Sequence, residues 1–222
     1  MLMGRKHMKR KYKNIYFING TAYAGKSTLC KVLASKYQGI LCGENYTSDY
    51  FPDLDYKEFP NLTYTKRLSN FSEFVRRTPT EYKEWIDGCS KEAEKLELKI
   101  LSDLEKENKM IFVDTNISLE TLKEISDKDH VLIMLASQDI SVNRFFERED
   151  KEKQFIYSLL LKEEDSKKAL DNYRECLKLI NSKEIYEKFL NSGFNVILRD
   201  ENRTIDETLS LAEKFFKLKS NN

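Results

Sequence analysis

Five short segments of the chain are apolar at nearly every position: Ile15-Tyr16-Phe17-Ile18, Gly39-Ile40-Leu41-Cys42, Met110-Ile111-Phe112-Val113-Asp114, Val131-Leu132-Ile133-Met134-Leu135-Ala136 and Asn195-Val196-Ile197-Leu198. Unbroken rather than alternating runs predict strands buried on both faces, as parallel strands are in α/β proteins. Gly39 to Cys42 is the weakest of the five. Between the runs the pattern changes to helical spacing; Leu29, Val32 and Leu33 share one face of a helix that extends through Lys36. Strand and helix patterns in alternation predict βαβ crossovers, and so an α/β fold: a three-layer α/β/α sandwich around a five-stranded parallel sheet.

Two stretches interrupt this alternation. Residues 46–108 carry Pro52, Pro60 and Pro79, all the prolines of the chain, and ten of its 26 aromatic residues lie between Tyr46 and Trp85. A helical pattern from about Thr80 to Glu107 closes that stretch. Residues 139–190 are highly charged and helical throughout. The 222 residues read as one domain, with 46–108 a substrate-binding helical insertion and 139–163 a lid. The aromatics of the insertion have two readings, a small satellite core or a surface (Tyr46, Phe51, Tyr56, Trp85) that stacks on a planar ring.

Between the first strand and the first helix lies Gly20-Thr21-Ala22-Tyr23-Ala24-Gly25-Lys26-Ser27, which fits the phosphate-binding pattern G-x-x-x-x-G-K-[ST] at every fixed position. The residue types suit the chemistry. Two glycines let the backbone turn its N–H groups onto phosphate oxygens, and the following helix N-terminus, from Thr28 onward, adds favourable partial charge. Lys26 is expected to reach the β- and γ-phosphates and Ser27 to ligate Mg²⁺, so the segment predicts binding of ATP with Mg²⁺.

The third run ends in a carboxylate, Asp114. Ligands of open α/β sheets lie at the carboxyl ends of the strands, which directs Asp114 to the same crevice and to a role in holding Mg²⁺. The competing role for it is to form a turn or cap the helix that begins near Ser118. Glu44 follows the weak second strand and is the first candidate to accept the proton of an acceptor hydroxyl, ahead of Asp49, Asp53 and Asp55. Arg144 and Arg148, four residues apart after the fourth strand, share a helix face and are candidates to neutralise charge on a transferring phosphoryl group, or else make surface ion pairs. Arg67, Arg76 and Arg77 are candidates to clamp an anionic acceptor, Arg76 first, or else simply face water.

Gly20 to Ser27, the acid-ended strand at Asp114, the Arg144/Arg148 pair and the closing Arg203-Thr-Ile-Asp-Glu-Thr-Leu segment together resemble the P-loop small-molecule kinases of the nucleoside monophosphate kinase-like group, which includes shikimate, gluconate and nucleoside kinases. The resemblance implies a P-loop NTPase fold, a lid whose arginines close over ATP, and a nucleotide contact from Arg203. It implies transfer of the γ-phosphoryl group to a small hydroxyl- or phosphate-bearing metabolite, nucleosides and nucleotides included. An antibiotic- or sugar-nucleotide-modifying kinase, similar to chloramphenicol phosphotransferase or zeta toxins, and a non-catalytic ATP-sensing module share the same motifs.

Composition narrows the partners. Lys and Arg total 38 against 37 Asp and Glu, but residues 1–13 hold six of the basic side chains and no acid, which leaves a mildly acidic body. That balance makes nucleic acid an unexpected partner, and the basic arm reads as a solvated tail. No run approaches the ~18 apolar residues of a membrane span, and no signal-peptide core follows the arm, so a cytoplasmic protein is expected. Cys30, Cys42, Cys89 and Cys176 form no CxxC pair and read as reduced, mostly buried thiols.

Overall fold

All five apolar runs are strands in the computed structural model, which describes residues 12–147 and 151–218. They are β1 (Ile15–Gly20), β2 (Ile40–Cys42), β3 (Ile111–Asp114), β4 (Val131–Leu135) and β5 (Asn195–Leu198), joined in one all-parallel sheet of order β2-β3-β1-β4-β5. β5 matches its run, and the bounds of the other four depart from the sequence pattern by one or two residues, the ordinary uncertainty of element ends. β3 flanks β1 with Ile18 opposite Asp114, and β4 flanks it on the other side with Gly20 opposite Met134. The carboxyl ends of three neighbouring strands therefore open into one crevice.

The pleat sends alternate residues of β1 to opposite faces. Tyr16 and Ile18 pack with Leu29 and Leu33 of α1 (Lys26–Lys36) and with Leu209 and Phe216 of α9 (Ile205–Phe216). Ile15 and Phe17 meet Leu101 of α3 (Pro79–Leu104) and Leu122 of α4 (Leu119–Ile125), with Tyr186 and Phe189 of α8 (Lys183–Leu190) packed against them. Helices thus cover both faces of the sheet, the three-layer arrangement expected. α3 starts where its sequence dictates: Thr78 and Glu81 cap each other's backbone N–H groups and Pro79 occupies the first turn, where its missing N–H costs nothing.

A third apolar cluster lies away from the sheet. It joins Phe74 of α2 (Ser72–Val75) and Tyr82 of α3 to Val142 of α5 (Gln138–Asn143), Ile156 and Leu160 of α6 (Lys151–Leu161) and Tyr173 of α7 (Ser166–Ile180). Ring pairs tie it together, Tyr82 with Tyr173 at 5.4 Å and Phe74 with Trp85 at 5.0 Å. Whereas Tyr46 and α8 pack on the sheet, Tyr64, Phe74, Tyr82 and Trp85 of 46–108 and helices α5 to α7 therefore complete one another's core. Tyr56 stands outside it, exposed to solvent.

Among the described residues no helix is long and apolar enough to cross a membrane. All four cysteines are free thiols, three buried and Cys89 half-buried.

Candidate functional site

The turn after β1 has the backbone geometry its glycines permit. Gly20 has φ +130° and lies so close to β4 that a Cβ would sit 1.9 Å from the Met134 carbonyl oxygen; only glycine fits there. Gly25, with φ 91°, stands at the N-cap of α1, and no side chain caps that helix. The first N–H groups of α1 are left open to an anion, with the positive end of the helix dipole behind them.

Hydrogen bonds fasten the loop to its surroundings. Asn19 Oδ1 accepts from the Gly20 N–H at 2.6 Å, Thr21 N–H donates to the Met134 carbonyl at 3.0 Å, and the Thr21 hydroxyl exchanges bonds with both backbone groups of Ala136. The Arg199 guanidinium donates to the Tyr23 carbonyl, and the Tyr23 hydroxyl donates to the Arg144 carbonyl at 3.0 Å.

The loop forms one wall of a cavity of about 560 Å³, within the size range of small-molecule sites. Its lining brings together Gly20, Ala22, Tyr23, Ala24, Gly25, Lys26, Ser27 and Thr28 of the motif with Glu44, Asn116, Arg144, Glu147 and Arg199. Thr21 is the one motif residue outside that lining, because its buried side chain is spent on Ala136, just past β4.

Three polar side chains converge beneath the loop, with Asp114 behind the lining residues Lys26 and Ser27 rather than among them. Ser27 donates its hydroxyl to Asp114 Oδ2 at 2.6 Å and lies 3.5 Å from Glu44 Oε2. Lys26 Nζ donates to the Thr21 carbonyl at 3.1 Å and stands 3.9 Å from Asp114 Oδ1. Asp114 is only 8% exposed; burial raises its pKa, Lys26 and Ser27 oppose the rise, and the nearby Glu44 charge adds to it. Such a carboxylate gains from a cation placed beside it. Asp114 does not cap α4: that role belongs to Ser118, whose hydroxyl accepts from the Thr121 N–H.

Other sequence expectations land elsewhere. Arg203 lines an adjoining cavity of about 340 Å³ rather than the main one, donating to the Leu198 carbonyl at 2.9 Å; the two cavities share Ala24, Gly25, Thr28 and Arg199. Arg144 lies at the C-terminal end of α5, its guanidinium 3.5 Å from Glu201, while Arg148 falls outside the described residues. Asp49, Asp53 and Asp55 are not among the lining residues, and neither is any other residue of 46–108. Of the possible anion clamps, Arg76 pairs with Glu163 at 2.7 Å, Arg67 donates to the Pro60 carbonyl at 2.7 Å, and Arg77 is held over Tyr64, Phe74 and Trp85 at 4.0 to 5.0 Å. Trp85 is part of that packing, with its indole N–H given to the Asn61 carbonyl at 3.1 Å, so the satellite-core reading describes it.

Sequence reasoning passed over Arg199 and Asn116. A cation one residue past β5 was a usable signal for the first. Asn116, two residues past Asp114, carried none.

Fold and site together define an α/β protein with a glycine-built turn and an uncapped helix N-terminus at the carboxyl edge of a parallel sheet. No protein-family model matches the chain, and no curated protein is significantly similar to it.

Proposed function

We propose that the cavity binds the phosphate chain of ATP with Mg²⁺, and that the chain is an ATP-dependent phosphotransferase of the P-loop NTPase type acting on a small hydroxyl- or phosphate-bearing metabolite. One observation carries the reading. Ser27 and Asp114, 87 residues apart in sequence, meet at 2.6 Å beside Lys26, at the mouth of an uncapped helix.

These donors suit Mg²⁺. The ion takes oxygen ligands at about 2.1 Å in octahedral geometry and prefers one or two protein ligands with phosphate and water completing the set. Adjacent ligands then stand about 3 Å apart, so the Ser27 and Asp114 oxygens need separate only slightly. When bound, the ion screens the phosphate charge and aligns the terminal phosphoryl group.

The chain supplies the remainder. The amides of Gly20 to Ser27 cradle the β- and γ-phosphates, and Lys26 exchanges its bond to the Thr21 carbonyl for one to a phosphate oxygen. Arg144 and Arg199 come from the β4 and β5 side of the cradle, where the adjoining cavity, walled by Met134, Ile197 and Ile205, has room for a nucleoside. The acceptor then enters from the β2 and β3 side, where Glu44 accepts the proton of its hydroxyl.

The test is calorimetric titration of MgATP into wild type and Lys26→Ala, followed by an acceptor screen that reads ADP release. Absence of binding in wild type, or equal binding in the variant, refutes the nucleotide site. Tight binding without turnover on any acceptor replaces the kinase reading with an ATP-sensing one.

A further inference from the structure

The turn that follows β3 is clamped from two sides. Glu97 of α3, 2% exposed, accepts from the Thr115 hydroxyl at 2.6 Å, the Asn116 backbone N–H at 3.2 Å and the Tyr46 hydroxyl at 3.3 Å. One helical turn earlier, Glu94 accepts from the Ser118 N–H at 2.8 Å and from the Thr121 hydroxyl. On the opposite flank the Asn19 amide donates to the Ile117 carbonyl at 2.7 Å. Thr115 and Ile117 are fully buried, so Asn116, between them, is an exposed side chain on a fixed backbone, and it lines the cavity.

Sheet order says which part of a ligand it meets. β3 lies on the β2 side of β1, away from β4, β5 and the adjoining cavity that Arg199 shares. On the nucleotide reading above, a group that reaches Asn116 lies beyond the γ-phosphate and belongs to the acceptor. Of the arginines suited to clamp an acidic acceptor, none of Arg67, Arg76 and Arg77 lines the cavity, and each has partners elsewhere. Recognition by hydrogen bonds remains. A carboxamide both donates and accepts, which matches two neighbouring hydroxyl groups.

We infer that Asn116 recognises the acceptor through adjacent hydroxyl groups, as on an uncharged polyol or sugar, and that Glu97 is the positioning residue that holds the Asn116 backbone in place. The inference rests on the nucleotide reading and is separable from it by experiment.

The probes are three Mg²⁺ complexes, of ATP, its γ-propyl ester and its γ-(2,3-dihydroxypropyl) ester, each titrated calorimetrically. The two esters differ only in the hydroxyls they project past the γ-phosphate. Wild type is expected to prefer the dihydroxypropyl ester about fivefold, the ordinary worth of one neutral hydrogen bond. Asn116→Ala is expected to abolish that preference while its affinity for ATP stays within about twofold of wild type. Glu97→Gln, which keeps the side-chain shape, is expected to reduce the preference with ATP affinity again unchanged, a split that a merely structural residue would not produce. No preference in wild type, or a preference that survives Asn116→Ala, overturns the inference while leaving the nucleotide site standing. A preference intact in Glu97→Gln removes the positioning role alone. Failure of wild type to bind ATP itself refutes the nucleotide reading, and this inference with it.

Discussion

Gly20 and Met134 approach so closely that a Cβ on the former would lie 1.9 Å from the carbonyl oxygen of the latter, and that same oxygen accepts the N–H of Thr21 at 3.0 Å. The close approach joins β1 to β4 at the point where the chain leaves the sheet to form the cradle. Gly20→Ala must push the strands apart as well as hold φ near +130°, and each of these strains costs on the order of 1–3 kcal/mol. A loss of at least about 2 kcal/mol in urea unfolding is expected. A loss below about 0.5 kcal/mol would mean the strands do not meet this closely.

At the cradle itself, Lys26→Ala leaves the apolar core untouched and removes one charge-assisted contact, worth roughly 1.5–3 kcal/mol. MgATP affinity should fall by about one to two decades with little change in unfolding temperature. Asp114→Asn keeps the Ser27 bond and removes the charge, so phosphoryl transfer should fall far more than stability does. Full activity of Asp114→Asn at saturating Mg²⁺ would take the metal away from Asp114.

Glu97 gives a prediction with a pH signature. Burial pushes its carboxyl up to about 7, against the hydrogen bonds from Thr115, Asn116 and Tyr46 and with some help from the charge of Asp114. The folded value lies above the unfolded one, so the stabilisation is complete below the ordinary carboxylate range and is lost as pH rises through about 7. Relative to Glu97→Gln, wild type should lose up to roughly 3 kcal/mol between pH 4.5 and about 8, read by urea unfolding at intervals of one pH unit. A pH-independent difference would show that the carboxyl ionises normally.

Arg144 is tested by rate and by exchange. Its pairing with Glu201 is half exposed and worth little, so the guanidinium is free to swing onto a phosphoryl group. Arg144→Ala should lower the catalytic rate more than it weakens MgATP binding, since its charge counts most where negative charge develops. A non-hydrolysable ATP analogue should slow hydrogen exchange over Gln138–Glu147. Little change is expected at Ile156 and Leu160, which are anchored in the third apolar cluster. Protection of α6 equal to that of α5 would instead make the whole of 139–163 the moving part.

The five strands were legible because a strand covered on both faces must be apolar throughout, and the cradle because its glycines, lysine and serine answer to phosphate geometry at fixed spacing. Strand order was not legible. Nothing local to Ile15–Gly20 states that β3 and β4, more than ninety residues further on, become its neighbours. Glu97 escaped for a related reason: on a charged helix it looks like any solvated acid, and the partners that bury it, Thr115 and Asn116, lie 18 and 19 residues away. The aromatics of 46–108 signalled a core without saying that its other half comes from residues 139–190.

That shared half has a consequence for anyone who would re-engineer the chain. Neither stretch owns the surface it buries: without 139–190, Phe74, Tyr82 and Trp85 lose their cover, and without 46–108, Ile156, Leu160 and Tyr173 do. A chimera that grafts one of them onto a foreign sheet should aggregate or unfold locally, whereas one that transplants both as a matched pair keeps the third cluster whole and leaves the sheet-facing sides of α3 and α8 to be refitted. The two stretches are therefore a single inheritable unit written in two instalments, and substitutions in one are expected to be compensated in the other.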